Sequence, residues 1–122
     1  MILVDTSVWI DHLRRGNDSL RALLLDGTVL GHPFVLGELA CGDLRNRREI
    51  LGLLGALPGA ATATDEEVLH LVEEEQLHGL GIGWVDAHLL ASSRLTACLF
   101  WTLDRALARV ASDLRLSAPR RQ

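Results

Sequence analysis

Four carboxylates, Asp5, Glu38, Asp86 and Asp104, are scattered along a chain of 122 residues. Each nevertheless sits where an apolar segment would deliver it to one common edge. Asp5 ends the strand-like run Ile2-Leu3-Val4, and Asp104 follows the strand-like run from Ala97 to Thr102. Asp86 starts an apolar helical stretch, and Glu38 lies inside another. Carboxylates forced together repel, so a cluster of them is tolerated mainly when a divalent cation or protons neutralise it. Metal-dependent chemistry is the first expectation.

A plainer reading exists for each aspartate. Asp5, Asp86 and Asp104 all stand at helix starts, where an acid accepts backbone N–H groups and complements the helix dipole. Glu38 resists that reading. It lies mid-helix in Val35-Leu36-Gly37-Glu38-Leu39-Ala40, an apolar setting in which burial without a partner would cost several kcal/mol or keep the acid protonated. A metal or an arginine would relieve that strain.

The elements that must position these groups alternate between short apolar strands and longer amphipathic helices. Strands are expected at 2–5, 28–30 and 97–102, with brief ones at 60–63 and 114–117. Helices are expected over 7–14 with Thr6 as cap, from Asn17 or Asp18 to Gly27, from Pro33 to Cys41, and over 46–55. Thr64-Asp65-Glu66-Glu67 has capping-box spacing and opens a helix to about His78. Further helices are expected over 85–95 and 104–113, and the Arg120-Arg121-Gln122 tail is expected to fray. This alternation predicts an α/β fold around a mostly parallel sheet, as a single domain over 1–122. In open parallel sheets the ligand crevice lies beyond the carboxyl ends of the strands, where Asp5 and Asp104 both fall.

Composition narrows the function. An apolar fraction of 48% supports a packed core. No apolar run reaches membrane length, and the start lacks a basic leader region, so a cytoplasmic protein is expected. Cys41 and Cys98 lack CxxC spacing and read as free buried thiols. All twelve basic residues are arginine, which removes every mechanism that needs a lysine, including those of haloacid-dehalogenase phosphatases and phosphoacceptor receivers. A net charge of −4 argues against a generic nucleic-acid binder but not against a nuclease with local arginine patches. Arg45, Arg47 and Arg48, with Arg14 and Arg15, are the candidates to meet RNA phosphates. The five histidines form no two-histidine metal motif, and Trp9, Trp84 and Trp101 occupy apolar positions that suit core or dimer packing over base stacking.

Four blocks carry a family resemblance. They are Met1 to Ile10 (MILVDTSVWI), His32 to Leu39 (HPFVLGEL), Gly83 to Ala91 (GWVDAHLLA) and Leu99 to Asp104 (LFWTLD). In order and spacing they resemble PIN-domain ribonucleases, specifically the VapC toxins of toxin–antitoxin pairs. The resemblance implies a three-layer α/β/α sandwich and an endoribonuclease dependent on Mg²⁺ or Mn²⁺. It further implies inhibition by a small VapB antitoxin, and a homodimer is expected. Family roles fall on Asp5, Glu38, Asp86 and Asp104 as the acidic quartet. Asp5, Asp86 and Asp104 are the expected metal ligands, with Thr6 and Thr102 as supporting hydroxyls. Some family members carry another acid two residues after the last aspartate; here that position is Ala106. Oxygen-only ligands suit Mg²⁺ or Mn²⁺, which leave positions for water and phosphate oxygens. The competing reading is a non-catalytic PIN-fold subunit that binds RNA or protein, though all four acids are retained.

Overall fold

The structure is a computed structural model that describes residues 1–118. Three parallel strands form its sheet, β1 (Ile2–Val4), β2 (Val29–Leu30) and β3 (Leu99–Trp101), in the order β2-β1-β3. Helices α1 (Thr6–Arg15) and α2 (Asp18–Leu25) connect β1 to β2. Helices α3 (Pro33–Ala40), α4 (Arg47–Gly55), α5 (Asp65–Glu74) and α6 (Trp84–Thr96) connect β2 to β3, and α7 (Arg105–Asp113) follows. The two connections run in opposite directions along the sheet. Because parallel crossovers are right-handed, they put helices on both faces and produce the three-layer α/β/α sandwich.

Local chemistry explains the boundaries. Asp5, in extended backbone, caps α1, so the cap lies one residue earlier than the Thr6 expected, and Thr6 becomes the first helical residue. Gly16, at φ +79°, ends that helix in a conformation L side chains rarely adopt. Asn17 caps α2 through Leu20 N–H at 3.0 Å, and Pro33 fills the first turn of α3. The Thr64–Glu67 capping box is present, but α5 stops at Glu74, short of the expected His78. The segments 60–63 and 114–117 are not strands. Single bridges occur instead at Gly59, just before the first segment and paired with Gly31, and at Ser117 in the second, paired with Phe100. The expected fraying of Arg120-Arg121-Gln122 lies outside the described residues.

The central strand is buried on both faces through Leu3 and Val4, and Phe100 beside it is equally enclosed. Helix α6 is the most deeply placed helix, with every residue from Ala87 to Ser93 buried. Helix α7 buries Leu107, Val110 and Ala111 and turns its arginines outward. Cys98 is buried, which raises its thiol pKa, but Cys41 caps the end of α3 and is exposed, against expectation. No disulfide joins them. No helix among the described residues is long and apolar enough to cross a membrane.

Candidate active site

Strand register builds the centre of the site. β1 and β3 pair Ile2 with Leu99, Leu3 with Phe100 and Val4 with Trp101. The next residues on each strand, Asp5 and Thr102, therefore emerge side by side at the carboxyl edge. Asp5 N–H donates to Trp101 O at 2.9 Å, which extends the ladder one step further. Thr102 Oγ1 donates to Asp5 Oδ2 at 2.8 Å, and Ser7 Oγ donates to the same oxygen at 2.7 Å. Ser7 Oγ also accepts Leu103 N–H at 3.0 Å, while Thr102 Oγ1 accepts Asp104 N–H at 3.1 Å. These two hydroxyls thus tie the buried Asp5 carboxylate to the turn that presents Asp104.

The other two aspartates are held from helix N-termini. Asp104 caps α7, its Oδ1 accepting Leu107 N–H at 2.9 Å. Asp86, in the first turn of α6, accepts Gly83 N–H on Oδ2 at 3.1 Å. Burial pushes the Asp86 carboxyl above the usual aspartate range, the Gly83 N–H opposes this, and the charges of Asp5 and Asp104 raise it further. Asp86 therefore shares an electrostatic field with both. Among the described residues, no three acid, histidine or cysteine side chains are arranged closely enough to grip an ion directly. Each aspartate nonetheless has one oxygen tied to the protein and the other without a hydrogen-bond partner among the described residues: Oδ1 of Asp5, Oδ1 of Asp86 and Oδ2 of Asp104. A hard cation takes such oxygen donors.

Glu38 differs from expectation. It is exposed, because Val35 and Leu39 take the core-facing side of α3 and leave Glu38 outward. Its Oε1 accepts Thr6 Oγ1 at 2.7 Å, which joins it to the residue after Asp5. Glu38 also lines a groove of about 720 Å³ with Arg14 and Arg45. Arg48 is exposed on α4. Arg47 instead donates to Gly42 O at 3.1 Å and to Ala40 O, carbonyls at the end of α3. Its guanidinium is engaged in closing that helix.

Two groups were not singled out by the sequence. Ser7 stood in the sequence only as a residue of the block Met1 to Ile10, and its bond to Leu103 N–H follows from strand register. His32 caps α3 by accepting Phe34 N–H on Nδ1 at 3.1 Å, so Nε2 carries the proton and donates to Ser92 Oγ at 2.9 Å. Ser92, on α6, also accepts Ala63 N–H at 3.1 Å. His32 therefore latches the helix of Glu38 to the helix of Asp86. Phe34 packs between His32, edge-on at a ring separation of 5.4 Å, and His88, tilted at 4.5 Å, and reinforces the same junction. Among the tryptophans, Trp9 is core, Trp101 is half-buried, and Trp84 is exposed with its edge packed against His88.

The sequence profile of the PIN domain matches residues 2–113. A curated relative, Ribonuclease VapC32 of Mycobacterium tuberculosis, is 44% identical over 114 residues, covering 93% of this chain and 92% of that protein. The same protein from the strains CDC 1551 / Oshkosh and H37Rv matches equally.

Proposed function

The chain belongs to the VapC family of PIN-domain ribonucleases, and from that membership we propose that it is a metal-dependent endoribonuclease acting as the toxin of a toxin–antitoxin pair. The observation that carries this reading is the trio of aspartates at the sheet's carboxyl edge, each with one oxygen anchored and the other without a partner among the described residues. Asp5, Asp86 and Asp104 would hold Mg²⁺ or Mn²⁺. Bound there, such an ion would supply positive charge for the phosphate and would lower the pKa of a water for in-line displacement.

The chain's own residues do the positioning. Thr102 and Ser7 fix Asp5, and helix-end N–H groups hold one oxygen of each aspartate. Thr6 orients Glu38, which faces the open groove and would steer the attacking water. Burial and the neighbouring charges of Asp5 and Asp104 disfavour the ionised form of Asp86, so a cation entering the site would relieve that repulsion. Arg45, which lines the groove with Glu38, and Arg48, exposed on α4, would meet RNA phosphates. A small VapB-type antitoxin is the proposed partner, single-stranded RNA loops the proposed substrate, the cytoplasm the proposed compartment, and a homodimer the proposed assembly.

Purified protein is expected to cleave RNA with Mg²⁺ or Mn²⁺ and to stop in EDTA. Expression alone is expected to arrest growth, and co-expression of a cognate antitoxin to restore it. Tight RNA binding with no cleavage under any divalent cation would favour the non-catalytic reading.

A further inference from the structure

A second groove, separate from the one at Glu38, opens beside the turn that carries Asp104, although none of the four site acids lines it. It encloses about 900 Å³ and shares no lining residue with the first. At its inner end lie Thr102 and Leu103, the turn that carries Asp104. It then runs past Trp101 and along the outer face of α7, where Arg105 and Arg109 line it. Both arginines are exposed, and neither forms an ion pair among the described residues. Four residues apart on a helix, they share a face and stand ~6 Å apart along its axis. Asp113 is the one acid that lines the groove, two turns from Arg105 and away from the inner end.

We propose that this groove holds a single strand of RNA as it leaves the acidic edge, with Arg105 and Arg109 on successive phosphates and a base against Trp101; the proposal rests on the ribonuclease reading above. A cationic track beside a partly exposed aromatic ring is what single-stranded nucleic acid needs, since the backbone is charged and every base has a face to stack. The charge is local, on a chain of net charge −4. Continuity with Thr102 and Leu103 gives the track a direction, because a strand whose phosphodiester sits at Asp5, Asp86 and Asp104 must continue somewhere beyond the edge. An acidic or apolar protein surface would meet the arginines but gain nothing from that continuity.

The test is fluorescence anisotropy with a labelled single-stranded oligoribonucleotide, in Mg²⁺, on the full chain carrying Asp86→Asn so that binding is read apart from cleavage. Arg105→Glu with Arg109→Glu is expected to weaken binding on the order of tenfold and to lower the salt slope by about 1.4, at about 0.7 per phosphate contact on a single strand. Arg109→Lys is expected to retain the slope. Trp101→Phe, which preserves an aromatic ring in the fold, is expected to lose most of the quenching of indole fluorescence by RNA. Unchanged affinity and slope in the double variant would overturn the proposal, even if the parent chain cleaves RNA. Conversely, a parent that binds RNA through these arginines without cleaving it would sink the nuclease reading and leave the groove assigned. Ala118 lies at the rim of the groove, so a chain ending there is a further control. If removing residues 119–122 raised RNA affinity and abolished the effect of the arginine variants, the groove would belong to the chain's own end and the proposal would fall.

Discussion

His32→Asn probes the junction between the helices of Glu38 and Asp86. His32 is 4% exposed, accepts Phe34 N–H on one ring nitrogen and donates to Ser92 from the other. A second proton would have to enter on Nδ1, against the N–H that it caps. Burial, aided by the charge of His88 facing it from α6, lowers the His32 pKa from 6.5 to about 4. Asp65, which pairs with His88 at 3.0 Å, is the remaining charged partner at this junction. Between those pH values the unfolded chain binds a proton that the folded chain refuses. Stability contributed by neutral His32 is therefore complete above pH 6.5 and is lost as pH falls toward 4. At about 1.4 kcal/mol per pH unit the loss across that window is roughly 3 kcal/mol. Asparagine retains an oxygen to cap Phe34 N–H but cannot reach Ser92 in the same way, so the variant is expected to be about 1–3 kcal/mol less stable near neutrality. It should lack the acid-dependent loss. Urea titrations of both proteins in EDTA across the window are expected to give stability curves that converge as pH falls. Asp86 and the other titrating groups are common to both chains and cancel in the difference. Curves that remain parallel from pH 6.5 to pH 4 would refute the latch as described.

Asp86→Asn keeps an oxygen for Gly83 N–H while removing a charge that burial, Asp5 and Asp104 all disfavour. The metal-free variant is expected to melt no lower than the parent near neutral pH, yet to lose both RNA cleavage and the stabilisation given by Mn²⁺, read by melting curves beside a cleavage assay. Ser7→Ala removes bonds to Asp5 and to Leu103 N–H and is expected to cost about 1–2 kcal/mol, with cleavage falling more than RNA binding; unchanged cleavage would remove Ser7 from the positioning of Asp5. Arg47→Ala is expected to lower stability by about 1 kcal/mol through loss of the α3 closure while leaving the salt dependence of RNA binding intact. Arg45→Ala and Arg48→Ala are expected to do the reverse, each flattening the salt slope by about 0.7 with little change in melting temperature.

Local pattern by itself determined most of the elements. The run Ile2-Leu3-Val4, the Thr64–Glu67 box, Pro33 at a helix start and the alternation of short strands with longer helices are all written in neighbouring residues, so strand order aside, the α/β class was legible. The same pattern pointed to acids at strand and helix ends, because a chain passing from a buried strand into a helix needs a cap there. Tertiary structure alone decided how those acids are held. Thr102 meets Asp5 across 97 residues of chain because β1 and β3 pair in one register, and Ser7, only two residues from Asp5, reaches Leu103 N–H for the same reason. His32 finds Ser92 across 60 residues because α6 runs through the core. Glu38 turned outward, although its neighbours are apolar, because α3 is short and needs only Val35 and Leu39 for its packing. Arg47 looked like its arginine neighbours in sequence, but its guanidinium closes α3 while theirs make no comparable bond to that helix end. Hydrogen bonds between distant residues depend on register and helix orientation, which are set by burying the whole core at once. No local window of sequence contains that information.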